Sequence, residues 1–269
     1  MFCDQKYDEE ECEKVEYIIS ASTDIGNVKM TNQDSLGVKA LTVREKKVVL
    51  AVLCDGVGGL EKGEVASATM VKAFSEWAIN RLPYLTQVGI SEETIQNEWT
   101  KLIAEYNEKI KAYGKKCGVK LGTTIAAILL VENKYYIVNI GDSRVYEIFE
   151  QSVVLTRDQT IVAKELELGF ITPEQAAVDS RRNILLQCIG VSDEVYPDFF
   201  FGDVKKNAVY MLCSDGFRHE ISSNEIYAVF RPDNMMSVEQ MKINELALIQ
   251  LNKQRDERDN ISVITIKTY

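Results

Sequence analysis

Apolar and polar positions along the chain fall into separate periods, and these predict its elements. Val15–Ser22 reads as a strand, with a turn following at Gly26–Asn27. Val48–Cys54 is an unbroken apolar run of seven residues rich in Val and Leu, the pattern of a strand buried on both faces. The charged cluster Arg44-Glu45-Lys46-Lys47 just before it reads as a solvated hairpin tip. Ala66, Met70, Ala73 and Trp77 then recur at spacings of 4, 3 and 4. Ile95, Trp99, Leu102, Tyr106, Ile110 and Tyr113 recur at 4, 3, 4, 4 and 3. Each set predicts a helix with one apolar stripe, and Ser91 with Glu93 and Thr94 suits the start of the second. The aromatic residues on these stripes read as core.

A block of strands is predicted next, at Thr123–Val131, Tyr135–Asn139, Ser143–Phe149 and Val153–Leu155. Asp158–Leu168 has helical character and is stopped by Gly169, after which Thr172-Pro173-Glu174 opens a second short helix. Residues 157–190 therefore form a mixed, flap-like insertion between strands. Val209–Ser214 is a strand that ends at Asp215, Ser222–Phe230 and Val238–Leu251 are helices, and Ile261–Lys267 is a final strand. Strands, a helix pair, strands and a second helix pair predict an α+β fold with helices packed outside stacked sheets. With four prolines and no Gly/Ser-rich linker in 269 residues, the chain reads as one domain over 14–269, preceded by a charged, aperiodic, frayed lead at 1–13.

Composition narrows the function classes. The formal net charge of −10 argues against a non-specific nucleic-acid binder and is most simply an acidic, soluble surface. It leaves a phosphorylated substrate open, because bound cations reverse the field locally. The six cysteines, Cys3, Cys12, Cys54, Cys117, Cys188 and Cys213, show no CxxC or Cys/His cluster, so neither a zinc site nor a disulfide framework is expected. The N-terminus has no apolar core of a signal peptide, and no apolar run approaches a membrane span. The expectation is a cytoplasmic protein with no membrane or nucleic-acid partner.

The chemistry points to aspartates. Asp34 lies in TNQDSLGV, Asp55 in VVLAVLCDGVGG, Asp215 in VYMLCSDGF and Asp259 in ERDNISVITI, each where an apolar run meets a turn or a glycine. A carboxylate at the end of a buried strand is costly unless it is paired or bound to a cation. Four of them gathered by the fold would repel one another, and hard divalent cations with oxygen ligands resolve that repulsion. Asp-Gly also lets the backbone approach a cation closely, since glycine has no Cβ.

Nine stretches in order carry a resemblance. They are GNVKMTNQDSLG at 26–37, CDGVGGLEKGEVAS at 54–67, LGTT at 121–124, VNIGDSRVY at 138–146, LTRDQT at 155–160, GFITPEQA at 169–176, RRNILLQCIG at 181–190, CSDGF at 213–217 and RDNISVI at 258–264. Together they resemble the metal-dependent protein phosphatase family, type 2C, and within it the bacterial serine/threonine phosphatases. The resemblance runs from about Ser20 to Ile266. It implies a four-layer α-β-β-α sandwich with two mostly antiparallel sheets flanked by helix pairs.

The resemblance also implies a centre of two Mn2+ or Mg2+ ions that activates a water for hydrolysis of phosphoserine and phosphothreonine. Asp55 would bridge both ions, the Gly56 carbonyl would bind one, and Asp215 and Asp259 the other. Asp34 would act through bound waters, and Lys29 would face the substrate phosphate. No phosphoenzyme is implied, so Cys54 and Cys213 read as core residues. Several positions depart from the family pattern. Lys29 replaces the usual arginine and offers a point charge rather than a planar fork. Gln33, Leu60 and Gln159 replace frequent Glu, His and His. His219 stands where many relatives place an aspartate that, with Asp142, holds a third ion, so that ion is left open, as is the leaving-group acid. Arg144 reads as a structural ion pair, and Thr123 and Thr124 as satisfying backbone groups beside the metal strands. Arg181 and Arg182 read equally as substrate contacts or solvated charge. Gly58, Gly59 and Gly63 read as a tight strand-to-helix connection that also orients the helix start toward phosphate. The implied partners are phosphorylated proteins, a serine/threonine kinase among them, with the chain a monomer. A catalytically weak member acting as a regulatory or phosphoprotein-binding module is the competing reading.

Overall fold

The computed structural model describes residues 15–43, 45–57 and 60–269. The N-terminal lead expected at 1–13, with Cys3 and Cys12, and also Arg44, Gly58 and Gly59, fall outside the described residues.

Two five-stranded antiparallel sheets stack face to face. The first contains β2 (Ser35–Val43), β3 (Lys46–Cys54), β4 (Ile125–Val131), β5 (Lys134–Ile140) and β8 (Asp198–Asp203), in that order across the sheet. The second runs β1 (Tyr17–Asp24), β10 (Ile261–Thr268), β9 (Val209–Cys213), β6 (Arg144–Ile148), β7 (Ser152–Val154). Alternation along β3 explains its unbroken apolar run. Val48, Leu50, Val52 and Cys54 face a helix layer, while Val49, Ala51 and Leu53 face the other sheet. In the second sheet, Val209, Met211 and Cys213 of β9 face helices, and Tyr210 and Leu212 face the sheet seam.

The helix layer on the first sheet is α1 (Gly63–Val88) and α2 (Glu92–Cys117). Ser91 caps α2, its side chain accepting from the Thr94 N–H. Trp99 is fully buried between Phe74 and Trp77, with ring centroids 5.5 Å from each. The buried stripe of α2 differs from the expected one. It uses Ile103, Asn107 and Gly114, whereas Leu102 and Tyr106 are half-buried and Tyr113 is exposed. Asn107 is inside because it fastens a loop: its Oδ1 accepts from Gly190 N–H at 2.7 Å and its Nδ2 donates to the Ser192 carbonyl at 3.1 Å. On the second sheet lie α6 (Ser223–Phe230) and α7 (Val238–Gln254), packed through Ile226, Phe230, Met241, Leu248 and Ile249. The four-layer α+β sandwich is therefore as expected.

Segment 157–190 holds α3 (Ile161–Glu167) and α4 (Pro173–Val178), each capped by a threonine, Thr160 and Thr172. β2 was implied only by the hairpin tip, and three further elements were not anticipated: β8, an edge strand around Phe199–Phe201 that pairs with β5, α5 (Asp215–Arg218), a single turn just after β9, and the 3-10 turn Pro232–Asn234. Lys46 and Lys47 belong to β3 rather than to the hairpin tip, since Val43 pairs with Lys46.

Candidate active site

Antiparallel pairing brings the nominated aspartates to one end of the sandwich. Ser35 pairs with Cys54, so Asp34 enters β2 just where Asp55 leaves β3. Cys213 pairs with both Val263 and Arg144. Asp215, which follows β9, therefore lies near Asp142, in the β5–β6 connection, and near Asp259, just before β10. Asp55, Asp142, Asp215 and Asp259 line one cleft of about 460 Å3 with Thr124, under walls of Val57, Leu60, Ile184, Leu185, Cys188 and Val191. Asp34 lies behind it, buried, with neither carboxylate oxygen in a hydrogen bond. A larger cavity of about 620 Å3 lies beneath α3, walled by Arg144, Asp158 and Tyr196, and none of the nominated carboxylates lines it.

The backbone around these groups is tightly tied. The Asp55 N–H donates to Thr124 Oγ1 at 3.1 Å, and the Asp55 carbonyl accepts from Thr124 N–H at 2.8 Å and Thr123 Oγ1 at 2.9 Å. The two threonines thus satisfy backbone groups as expected. Gly56 is required by crowding, since a Cβ there would lie 2.7 Å from the Gly63 carbonyl carbon and 2.8 Å from Gln33 Cβ. Sequence reasoning missed Asn260 and Glu257. Asn260 accepts from Gln33 N–H at 2.9 Å and donates to the carbonyls of Ile25 and Thr31, pinning the loop that carries Lys29 and Asp34. Glu257 accepts from the N–H groups of Arg258 and Asp259 at 2.7 and 2.8 Å, which shapes the turn bearing Asp259. Asn260 lies in the RDN run and Glu257 just before it, polar residues leading into a buried strand.

The electrostatics are those of crowded like charges. Burial, then Asp34 and Asp215, push the Asp55 carboxyl well above the usual range. Burial pushes Asp34 up to about 7, with Asp215 adding to it and the Ser262 and Ser214 hydroxyls opposing it. Burial and Asp215 push Asp142 up to about 7 against the nearby Arg218. Among the described residues, no group of three His, Cys, Asp or Glu converges closely enough to grip one ion. The donor set nevertheless fits hard divalent cations: all ligands are oxygens, and both oxygens of Asp34 and Oδ1 of Asp215 are buried without a hydrogen-bond partner.

Lys29 Nζ lies 2.9 Å from Asp259 Oδ1. Burial alone would lower its pKa, but the Asp259 hydrogen bond and charge raise it. His219 is half-buried with its side chain only 8% exposed, Nε2 lying 3.7 Å from Asp215 Oδ2 and Nδ1 3.5 Å from Glu257 Oε2. Burial would lower its pKa as well, and Glu257 and Asp215 outweigh that and raise it. Gln159 is a bridge within the fold, accepting from Gly141 N–H at 3.0 Å and donating to Asp198 at 3.0 Å. Arg144 is the expected structural ion pair, with two bonds of 2.7 Å to Asp158. Arg181 pairs with Glu165 and Asp179 inside the 157–190 segment. The thiols of Cys54 and Cys213 are buried and raised by desolvation, which leaves them inert as nucleophiles. Gly63 opens α1 behind Lys62.

The sequence and the fold have counterparts among known proteins. The sequence profile described as protein phosphatase 2C matches residues 27–246. Protein phosphatase PhpP of Streptococcus pneumoniae is 31% identical over 219 residues, covering 80% of this chain and 85% of that protein. The serine/threonine phosphatase stp of Listeria innocua is 29% identical over 250 residues, covering 91% and 93%. Among solved structures, the S. agalactiae serine/threonine phosphatase superposes with a TM-score of 0.80 at 28% identity, covering 94% of this chain and 99% of that one. The catalytic domain of the serine/threonine protein phosphatase PstP, in complex with two manganese ions, gives 0.76 at 26% identity, covering 95% and 99%. The chain belongs to the protein phosphatase 2C family, in its bacterial serine/threonine branch. It is accordingly an enzyme of the phosphoprotein phosphatase class.

Proposed function

We propose that this chain hydrolyses phosphoserine and phosphothreonine on proteins, using two divalent cations held by Asp55, the Gly56 carbonyl, Asp215 and Asp259, with Asp34 acting through water. The observation that carries this reading is the convergence of Asp55, Asp142, Asp215 and Asp259 from separate segments on one cleft, with partnerless buried oxygens on Asp215 and on nearby Asp34. Two Mn2+ or Mg2+ ions, when bound, supply charge stabilisation and an activated water at neutral pH. The chain's own residues do the rest. Asp55, fixed through its backbone by Thr123 and Thr124, presents a carboxylate to both ion positions. Asp34 holds and orients water at the back of the site. Lys29, 30% exposed, exchanges its Asp259 contact for the substrate phosphate. The walls of Val57, Leu60, Ile184 and Val191 narrow solvent access.

The substrates in this reading are phosphorylated proteins, including a serine/threonine kinase, met by a monomer in the cytoplasm. The four described cysteines are free thiols, in keeping with a reducing compartment. Among the described residues no helix is long and apolar enough to cross a membrane. A non-catalytic binding module would need none of the cleft carboxylates, and their retention favours the enzyme. Purified protein with millimolar Mn2+ should hydrolyse a phosphothreonine peptide, and EDTA should abolish the activity; turnover undiminished after exhaustive chelation would reject the cation-dependent mechanism.

The role of Lys29 has its own kinetic signature. Lys29→Ala should raise KM for a phosphopeptide about tenfold, the worth of one charge-assisted hydrogen bond discounted for partial exposure, and should weaken inhibition by free phosphate. Lys29→Arg, with a planar fork, should keep or improve kcat/KM. Equal KM and equal phosphate inhibition in wild type and Lys29→Ala would leave the lysine as a partner of Asp259 only.

A further inference from the structure

Two cleft carboxylates have a cation of the chain's own beside them, and the two cations differ in kind. Lys29, beside Asp259, is 30% exposed on a flexible stem. Arg218, beside Asp142, is 11% exposed and held through Nη2, while its Nε is buried with no hydrogen-bond partner. Its Nη2 donates to the Asp142 carbonyl at 2.8 Å, and lies 3.3 Å from Asp158 Oδ2 and 3.7 Å from Asp142 Oδ2. Asp158 is itself clamped by Arg144. Asp142, Asp158, Arg144 and Arg218 thus form a buried set of two carboxylates and two guanidiniums, whose charges cancel. A guanidinium does not give up its proton in a protein. A divalent cation on Asp142 would stand beside a permanent positive charge that has no exposed position to retreat to. His219, the next residue, adds no anionic ligand, since both of its nitrogens face carboxylates already.

We propose that Arg218 is a built-in counter-cation for Asp142: it positions that carboxylate and excludes a third divalent ion, so the cleft takes up two ions and no more. The inference rests on the two-ion reading of the cleft, and its test separates the two. Mn2+ uptake is counted by equilibrium dialysis and elemental analysis on the full chain, up to millimolar Mn2+. Wild type should take up two equivalents, and Asp142→Asn should leave that number unchanged. Arg218→Met, similar in length and uncharged, should admit a third equivalent, which adding Asp142→Asn should remove. A third equivalent in wild type that Asp142→Asn abolishes would overturn the proposal, as would a folded Arg218→Met that stays at two. Loss of an ion in Asp142→Asn alone would overturn it too, since Asp142 would then belong to the first two sites. Where circular dichroism shows that Arg218→Met does not fold, wild type and Asp142→Asn decide between them. Fewer than two equivalents in wild type would remove the two-ion reading and this inference together.

Discussion

Asp55→Asn should lower turnover on a phosphothreonine peptide by about a thousandfold or more, roughly 4 kcal/mol of barrier, at saturating Mn2+. Asn keeps the side-chain shape and the backbone ties to Thr123 and Thr124, but removes the charge assigned to both ion positions. It also removes one of several like charges from a buried site. In the presence of chelator the variant should therefore melt no lower than wild type, which separates lost chemistry from lost fold. Near-normal turnover in Asp55→Asn would contradict its assignment as the shared ligand, whereas a collapsed melting temperature would show that Asp55 serves the fold instead.

Trp99→Ala should destabilise the chain by about 3–5 kcal/mol, read from urea unfolding in chelating buffer. Trp99 is fully buried and touches aromatic rings from α1, so truncation opens a cavity between α1, α2 and the first sheet. A loss below about 1 kcal/mol would mean that this helix layer is not packed on the core as described. Activity at low temperature should survive in the folded fraction, because none of the cleft residues lies on α1 or α2.

Much of the architecture was legible from period alone. β3 and β4 stand out because burial on both faces makes Val48–Cys54 and Ile125–Val131 apolar throughout, and several helix starts carried Ser or Thr caps. β8 was not legible, since Phe199–Phe201 is too short a run to show a period and owes its strand state to pairing with β5. The stripe of α2 was misread because Asn107 and Gly114 are inside for a loop bond and close packing, and neither looks apolar. In the site, Asp55 and Asp215 were visible as carboxylates at the ends of apolar runs. Arg218, Asp158 and Asn260 were not, because their work depends on partners far along the chain, and Glu257 was not, because a glutamate on a turn reads as solvated charge. No local pattern reports that an arginine after Asp-Gly-Phe will turn back onto Asp142.

The cleft straddles the seam between the sheets. Asp34 and Asp55 flank β2 and β3 of one sheet, while Asp215 and Asp259 flank β9 and β10 of the other. Asp142 lies on the connection from β5 to β6, where the chain passes between them. Any ion shared by these carboxylates is thus a non-covalent cross-link between the two halves of the sandwich. Its binding energy counts toward holding the sheets together, and parting the sheets and releasing the ion become one event.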